Sequence, residues 1–181
     1  MKKLLYVVPL VILFCFTIAC QNKAALAELE KYKAQAKDEE QNKAIVSREW
    51  DAYSKGDYEA FKQVVAPEYV WYDPSGSVKP RSLEETIEYG KILRKSFPDL
   101  SFSIEEMFAG GDRVVSRYIM RGTQQGEFAG LPATGNKSEM SGIMIHRIEN
   151  GKVVEEREES DMLRFMEQLG MELKPIAAKK K

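Results

Sequence analysis

The residues best suited to chemistry form an acidic run near the carboxyl end, Glu-Glu-Arg-Glu-Glu at positions 155–159. The run lies in an alternating apolar and polar stretch, residues 152–160, which predicts a β-strand with successive side chains on opposite faces. On that strand Glu156 and Glu158 share one face, roughly 6.5–7 Å apart. Two carboxylates so placed in a poorly solvated cavity could act as a general acid and base without a metal. The alternative is a solvated strand face, a common use of charge at sheet edges.

Two further sets of side chains could belong to a site. His146, the only histidine, shares a face with Met144 and Ile148 on the predicted strand 139–148. It could take part in catalysis or be a satisfied core or sheet-surface residue. Five aromatic residues could form the wall of a pocket or pack as core: Tyr69, Trp71, Tyr72, Tyr118 and Phe128.

Three long antiparallel strands must position these residues, and they are predicted at 113–121, 139–148 and 152–160. Asn150-Gly151 joins the last two strands and supplies the two positive-φ positions of a type I′ hairpin. A connection with glycines at 122, 126, 130 and 135 joins the first two. It lacks the Lys-Ser/Thr ending and the following helix of a phosphate loop. We expect it to act as a lid at the mouth of a pocket.

Helices precede this sheet. Apolar stripes predict helices from about Ala44 to Lys55 and from Asp57, as the N-cap, to Pro67. A third helix begins with a capping box at Ser82 and Glu85 and ends before proline 98. Short strands are predicted at 69–72 and 100–104, and a terminal helix at 162–169. Helices segregated from an antiparallel sheet predict an α+β fold, with a strongly bent sheet wrapped over the helices as a cone with one open mouth.

The first 20 residues indicate an export signal rather than part of the fold. Lys2 and Lys3 precede an apolar run at 4–18, and Ala19-Cys20 follows, which resembles a bacterial lipoprotein lipobox. That resemblance implies a diacylglycerol on Cys20 and a location in the cell envelope, anchored to a membrane and facing away from the cytoplasm. The apolar run is shorter than the roughly 20 residues of a spanning helix. An uncleaved signal anchor and an ordinary secretory signal remain alternatives.

Composition limits the other possibilities. The chain has 27 basic and 28 acidic residues, which gives no support for nucleic-acid binding. Cys15 and Cys20 are the only cysteines, so the processed chain would have no disulfide. A single histidine without a thiol pair argues against a zinc site. We expect a signal peptide at 1–19, a helical spacer at 20–42, a globular domain at 43–171 and a basic disordered tail at 172–181. The spacer could be solvated or form a short coiled-coil dimer.

Four phrases in order resemble the SnoaL-like polyketide cyclase family, also called ester cyclase-like proteins. They are SREWDAYSKGDYEAFKQVVAPEYVWYDP, FPDLSFSIEEMFAGGDRVVSRYIMRGT, GEFAGLPATG and HRIENGKVVEEREESDMLRFMEQLG. The resemblance covers residues 43–170 and implies the cone-shaped α+β barrel of the nuclear transport factor two superfamily. It also implies closure of a polyketide ring by intramolecular aldol condensation, with neither a metal nor another cofactor.

The resemblance also implies roles for individual residues. Glu158 matches the family's acid/base aspartate, and Asp161 matches a second acid before the terminal helix. Gln124 stands where the family has a histidine after Gly-Thr, and Glu156-Arg157 replaces its usual His-Trp pair. Apart from the resemblance, we expect the pocket to be lined by Tyr69, Trp71, Tyr118, Gln124, Phe128 and His146.

Three functions follow as expectations. The first is a cofactor-independent cyclase, isomerase or hydrolase for a small apolar carbonyl or ester compound, with Glu158 as acid/base and Glu156 assisting. The second is a lipoprotein that binds a small apolar molecule without converting it. The third is an interaction module that forms a homodimer through its sheet.

Overall fold

A computed structural model describes residues 4–73, 79–172 and 174, with side chains from residue 23 onward. The side chains of the predicted signal, including Cys20, therefore lie outside the described residues, as do most of the predicted tail and of the turn after Tyr72. The chain divides into two compact units, Met1–Asp38 and Glu39–Lys181. Among the residues searched within the described part, no helix is both long and apolar enough to cross a membrane.

The elements follow one another in an order close to that predicted. They are α1 (Leu4–Lys55), α2 (Tyr58–Val64), β1 (Val65–Tyr72), β2 (Arg81–Ser82), α3 (Leu83–Ser96), β3 (Ser101–Gly110), β4 (Arg113–Thr123), β5 (Lys137–Glu149), β6 (Lys152–Ser160) and α4 (Met162–Gln168). Helix α1 is continuous where the sequence predicted a spacer and a separate helix. Leu26, Leu29 and Tyr32, in the part of α1 that belongs to the first unit, are exposed.

The strands form one sheet in the order β2-β1-β6-β5-β4-β3. The long pairs β3–β4, β4–β5 and β5–β6 are antiparallel, as predicted, and the α+β class is confirmed. One pairing differs from the expected antiparallel sheet, because β1 runs parallel to β6. The edge strands β2 and β3 do not pair with each other, so the sheet stays open within the described residues.

Local signals for turns and caps are confirmed. Ser82 accepts from the backbone N–H of Glu85, and the Glu85 carboxylate accepts from that of Ser82. Asn150 and Gly151 have φ values of 51° and 74°, as the predicted hairpin requires. The second helix ends earlier than expected, since α2 stops at Val64 and Pro67 lies inside β1.

The register of β6 decides which acids face inward. Glu156 and Glu158 are buried, whereas Arg157 and Glu159 are exposed, which confirms the predicted alternation. A register shift next to Ile148 in the β5–β6 pairing coincides with burial of two consecutive β6 residues, Val153 and Val154. Such a bulge re-aims the side chains that follow it. The inner face of the sheet therefore carries both candidate carboxylates into the space beneath α1 and α3.

Candidate active site

A cavity lies between the inner face of the sheet and the helices. Its volume is about 90 Å³. Its walls are mainly aromatic rings and methionines. The lining comprises Glu49, Trp50, Tyr53, Phe61, Trp71, Asp73, Arg81, Thr86, Tyr89, Leu93, Phe102, Tyr118, Met120, Phe128, Met140, Met144, Glu156, Glu158, Ser160, Met162 and Phe165. Such walls suit a small, largely apolar molecule with few polar groups.

Glu158 is the acid with the environment best suited to proton transfer. Its side chain lines the cavity and the residue is 8% exposed. The Tyr118 hydroxyl donates a hydrogen bond to its Oε1. Burial raises the pKa of Glu158 to about 7; the hydrogen bond from Tyr118 opposes that rise, and the charges of Glu156 and Asp73 add to it. This carboxyl group can therefore both hold and release a proton near neutral pH.

Gly142 allows Tyr118 to reach Glu158 across an intervening strand. Tyr118 lies on β4 and pairs with Gly142 on β5, which in turn pairs with Ser160 on β6. A Cβ atom on Gly142 would lie 2.4–2.6 Å from the phenol ring and hydroxyl of Tyr118. The ring thus lies over a backbone position that no other residue could occupy without a shift. A glycine inside a strand is the sequence signal for such a close approach.

The second acid, Glu156, lines the cavity and belongs to a buried polar cluster that extends behind its wall. Its Oε1 lies 2.6 Å from Nδ1 of His146, and the Tyr69 hydroxyl donates to its Oε2. The same Nδ1 lies 3.0 Å from Oε2 of Glu49 on α1. Nε2 of His146 lies 2.9 Å from the hydroxyl of Ser116. Both oxygens of Glu156 therefore already have partners within the protein.

Charges in this cluster balance one another. Burial opposes a charge on His146, but Glu49 and Glu156 outweigh burial and raise the pKa of the imidazole to about 10. Burial would raise the pKa of Glu156, yet the charge of His146 holds it below its ordinary value. Burial and the neighbouring Glu156 raise the pKa of Glu49 well above its usual range. The imidazole of His146 is thus held in its charged form at neutral pH by the two carboxyl groups beside it.

The same three residues are the candidate metal ligands. Donor atoms of Glu49, His146 and Glu156 all lie within 4.8 Å of one another. Two carboxylates and an imidazole are ligand types that transition metals accept. Both separations from Nδ1 are those of ion pairs with a protonated ring, so a histidinium between two carboxyl groups accounts for the arrangement.

Arg81 is the only cation among the lining residues that the structure describes. Its Nε lies 2.5 Å from Oδ2 of Asp73. Its guanidinium carbon lies 4.7 Å from the centre of the Tyr89 ring and 5.6 Å from that of Trp71. These contacts fix the Arg81 side chain in a wall built from β1, β2 and α3.

The glycine-rich connection between β4 and β5 covers part of the cavity, and aromatic packing and hydrogen bonds hold it in one conformation. Phe128 contributes to the lining and packs against Phe97 and Phe165. The Gln124 amide donates to the carbonyls of residues 126, 131 and 132, and its oxygen accepts from Thr134. Gln124 was expected to line the pocket; its side chain instead holds the connection in shape.

The structure brings some of the predicted site residues to the cavity and places others away from it. Glu156, Glu158, Trp71, Tyr118 and Phe128 line it. Behind the lining, Tyr69 and His146 support Glu156. Asp161, which the resemblance implied as a second acid, is exposed and caps α4 by accepting from the backbone of Arg164 at 3.1 Å. A side chain at a helix N-cap outside the cavity cannot act on a molecule inside it.

Several lining residues were missed in the sequence. Glu49 falls on the apolar face of its helix beside Trp50 and Tyr53, and an acid on such a face is the signal that could have singled it out. Tyr53 and Tyr89 lie on helices and carry no signal that distinguishes a cavity residue from a core residue. Arg81 belongs to the two-residue strand β2, which was not predicted.

Comparisons with known proteins support the fold. The family model described as SnoaL-like polyketide cyclase matches residues 44–169. The chain is similar to IdmH of Streptomyces antibioticus, a candidate polyketide cyclase, with 28% sequence identity and a TM-score of 0.65. The alignment covers 72% of this chain and 99% of IdmH. It is also similar to AclR of Streptomyces galilaeus, a candidate hydroxylase, with 26% sequence identity and a TM-score of 0.66. That alignment covers 73% of this chain and 97% of AclR.

A third structure supports the fold. A candidate SnoaL-like polyketide cyclase from Jannaschia sp. CCS1 is 24% identical, with a TM-score of 0.67 over 75% of this chain and 95% of its own. No curated protein sequence matches the chain.

Proposed function

Because the chain belongs to the SnoaL-like polyketide cyclase family, we propose that it is a cofactor-independent enzyme that uses carboxylate acid–base chemistry. Its substrate is a small apolar carbonyl or ester compound, and its reaction is a cyclisation, isomerisation or hydrolysis. The observation that supports this proposal best is Glu158, a buried cavity acid with a pKa of about 7. A group half ionised at neutral pH suits both proton removal and proton return.

Glu156 assists through its charge. Both of its oxygens are held, one by Tyr69 and one by His146. A carboxylate so engaged is a poor proton acceptor for a ligand, but its negative charge raises the pKa of Glu158. The two acids thus have separate roles: Glu158 exchanges the proton, and Glu156 raises the pKa of Glu158.

The fold is compatible with several reactions, so the proposal includes isomerisation and hydrolysis besides ring closure. The structural relatives include both a candidate cyclase and a candidate hydroxylase, and one fold often carries unrelated reactions. Two positions where the family has histidines are Gln124 and Glu156 here. The imidazole nearest to the cavity acids belongs instead to His146 on β5, which pairs with Glu156 on β6.

The test compares proton exchange in matched variants. Small aryl ketones and aryl esters would be incubated with the protein in D2O, and NMR would follow deuterium entry beside the carbonyl and ester cleavage. We expect Glu158→Gln to lower the rate on any converted compound by at least about 100-fold, a common contribution of general acid–base catalysis. Glu159→Gln is the control, because Glu159 is an exposed acid on the same strand. An unchanged rate in Glu158→Gln would remove Glu158 from the mechanism.

A second candidate function is binding without conversion, favoured by the largely apolar walls of the cavity. It predicts saturable binding of a small apolar molecule, no product, and weaker binding when Trp71 or Tyr118 is truncated.

An interaction role through a homodimer is a further alternative. Phe108 and Ile143 are exposed on the sheet at 64% and 48%, and such residues are typical of contact surfaces when they cluster.

The proposed location is the cell envelope. A lipid on Cys20 would anchor the protein to a bacterial membrane with its domain facing away from the cytoplasm. This part of the proposal rests on the basic residues, the apolar run and Ala19-Cys20 at the start of the chain. Two or three acyl chains would provide a stable anchor, whereas one chain alone binds reversibly.

A further inference from the structure

Arg81 has hydrogen-bond donors that the protein itself leaves unused. A guanidinium group carries N–H donors on all three of its nitrogens and has no acceptor. Nε of Arg81 donates to Oδ2 of Asp73 at 2.5 Å. Among the described residues, neither Nη1 nor Nη2 of Arg81 donates a hydrogen bond. These two nitrogens can therefore bind an acceptor that comes from outside the chain.

Arg81 is also the accessible half of its ion pair. The side chain of Arg81 is 35% exposed, whereas that of Asp73 is 3% exposed. The guanidinium carbon lies 4.7 Å from the centre of the Tyr89 ring and 5.6 Å from that of Trp71. Arg81 and both rings line the cavity. A molecule in the cavity can therefore reach the cation, while the carboxylate that balances its charge is covered.

Contacts on several sides fix the guanidinium before a ligand arrives. Asp73 accepts from Nε, the Tyr89 ring lies beneath the guanidinium, and the backbone of Arg81 pairs with that of Trp71 in the β1–β2 ladder. The planar fork of an arginine can bind both oxygens of a carboxylate through parallel hydrogen bonds. A fork that is already held in place loses less entropy when it binds.

Arg157 shows that such contacts alone do not make a ligand site. Its Nε lies 2.9 Å from Oε1 of Glu155, and its guanidinium carbon lies 4.0 Å from the centre of the Tyr72 ring. Arg157 thus has the same two kinds of partner as Arg81. It is exposed on the face of β6 opposite to Glu158, however, and does not belong to the described lining. The position beside an apolar cavity is what distinguishes Arg81.

The sheet sets the distance between Arg81 and the acids of the cavity. Arg81 on β2 pairs with Trp71 on β1, and Trp71 pairs with Glu156 on β6. Because neighbouring strands lie about 4.8 Å apart, the backbones at Arg81 and Glu156 are roughly 10 Å apart. A ligand that contacts Arg81 and a cavity acid therefore has its anionic group at one end of a short apolar body and its other polar group at the opposite end.

The charges of this wall favour a ligand with a single negative charge. Arg81 is the only cation among the described lining residues, and Asp73 already lies beside it. The pKa of Glu158 is about 7, so this acid is partly charged at neutral pH. A second negative charge on the ligand would add repulsion from both acids. A carboxylate consequently fits the site better than a phosphate ester.

We propose that Arg81 binds a carboxylate group of the ligand, while the aromatic and methionine side chains of the cavity pack against its apolar body. This inference rests on the proposed function in taking the cavity as the ligand site, and it adds a carboxylate to the carbonyl or ester compound proposed there. Arg81 determines which ligand binds and takes no part in making or breaking bonds.

Two compounds of similar shape test this role through binding alone. 3-Phenylpropanoate carries a carboxylate, and 3-phenylpropanamide has a neutral amide in its place. Trp50 and Trp71 are the only tryptophans and both line the cavity, so NMR of their indole N–H groups reports binding there. We expect wild type to bind the carboxylate at least about 10-fold more tightly than the amide, because hydrogen bonds between charged groups are the stronger ones. 2-Phenylethyl phosphate should bind less tightly than the carboxylate.

Three variants assign the preference for the carboxylate to Arg81. Arg81→Gln should reduce it to less than 2-fold. Arg157→Gln is the matched control and should keep it, because it removes an arginine with the same kinds of partner from the outer face. Arg81→Gln combined with Asp73→Asn leaves no unpaired carboxylate to repel the ligand. We expect this double variant to lack the preference as well, whereas it would regain the preference if Arg81 only balanced Asp73.

The inference would be overturned by any of three results. The first is that wild type does not bind 3-phenylpropanoate, or binds it no more tightly than the amide; this comparison needs no variant. The second is a preference kept in Arg81→Gln or regained in the double variant, with Tm and circular dichroism like those of wild type. The third is tighter binding of the phosphate ester. Deuterium exchange with neutral ketones and esters judges the acid–base function separately, so either proposal can fail while the other stands.

Discussion

Glu158 and Glu159 show how position changes the chemistry of one residue type. They are neighbours on β6, but Glu158 faces the cavity and Glu159 faces solvent. Burial and nearby acids raise the pKa of Glu158 by disfavouring its charged form. The hydrogen bond from Tyr118 limits the rise, because it stabilises the carboxylate. The balance leaves a group that titrates near neutral pH.

The raised pKa of Glu158 predicts a pH dependence of stability. Its pKa is about 7 in the folded chain, against 4.5 ordinarily. The folded state therefore holds this proton more tightly than the unfolded state, so its contribution to stability is lost as pH rises from about 4.5 through 7. Glu158→Gln removes this titration. We expect its free energy of unfolding, relative to wild type, to increase by roughly 2–3 kcal/mol between pH 5 and 8.

Urea unfolding of both proteins at several pH values provides the measurement. The comparison isolates Glu158, because other titrating groups such as His146 are present in both chains. Glu159→Gln serves again as the control and should show a nearly constant difference from wild type. A constant difference for Glu158→Gln as well would mean that Glu158 has an ordinary pKa in the folded protein.

At the scale of elements, the three-strand arrangement of β4, β5 and β6 predicts a specific role for Gly142. In Gly142→Ala the new Cβ would lie 2.4–2.6 Å from the Tyr118 ring and hydroxyl, so the ring must shift from its present position beside Glu158. Overpacking of this kind costs about 1–3 kcal/mol of stability. The Tyr118 hydrogen bond lowers the pKa of Glu158, so its loss should raise that pKa above 7. The stability that the Glu158 proton contributes should then persist to higher pH in Gly142→Ala than in wild type.

Gly110→Ala is a matched control, since Gly110 ends β3 and a Cβ there would meet nothing within 4 Å. Thermal unfolding and the pH series described above would compare the two variants. If Gly142→Ala kept both the stability and the pH dependence of wild type, Tyr118 would not depend on the space above Gly142.

Local patterns predicted the elements better than the sheet or the site. The alternation at 152–160, the Asn150-Gly151 turn and the Ser82–Glu85 box each act over a few residues, and all are confirmed. The parallel pairing of β1 with β6 joins segments far apart in the chain. No local pattern encodes such a pairing, because its favourable contacts form only after the intervening chain has folded.

The site divides in the same way. Glu156, Glu158 and Trp71 could be predicted as cavity residues from strand alternation and residue type. The contributions of Glu49, Tyr53 and Tyr89 depend on how helices pack over the sheet, which sequence periodicity does not specify. Glu49 and His146 meet only because α1 and β5 face each other across the core. A helical tyrosine looks the same in sequence whether its hydroxyl faces a cavity or another side chain.

At the scale of the whole molecule, the start of the chain predicts an anchor that is separate from the chemistry. Every described residue that lines the cavity lies between Glu49 and Phe165, far from Cys20 in the chain. We therefore expect Cys20→Ala to move the protein from the membrane fraction to the soluble fraction, with Tm and the rate of deuterium exchange unchanged. Mass spectrometry of the wild-type amino-terminal peptide should show a diacylglyceryl group on Cys20.

Cys15→Ala is the control for Cys20→Ala, because Cys15 lies inside the apolar run and would leave with the signal. If Cys20→Ala stayed in the membrane fraction with its first residues intact, the segment would be an uncleaved signal anchor. If the wild-type protein itself were released without lipid, it would be an ordinary secretory signal. Membrane attachment lost in Cys20→Ala but kept in Cys15→Ala would establish the lipid anchor. The substrate would then be one that reaches the outer side of that membrane, since the cavity would lie there.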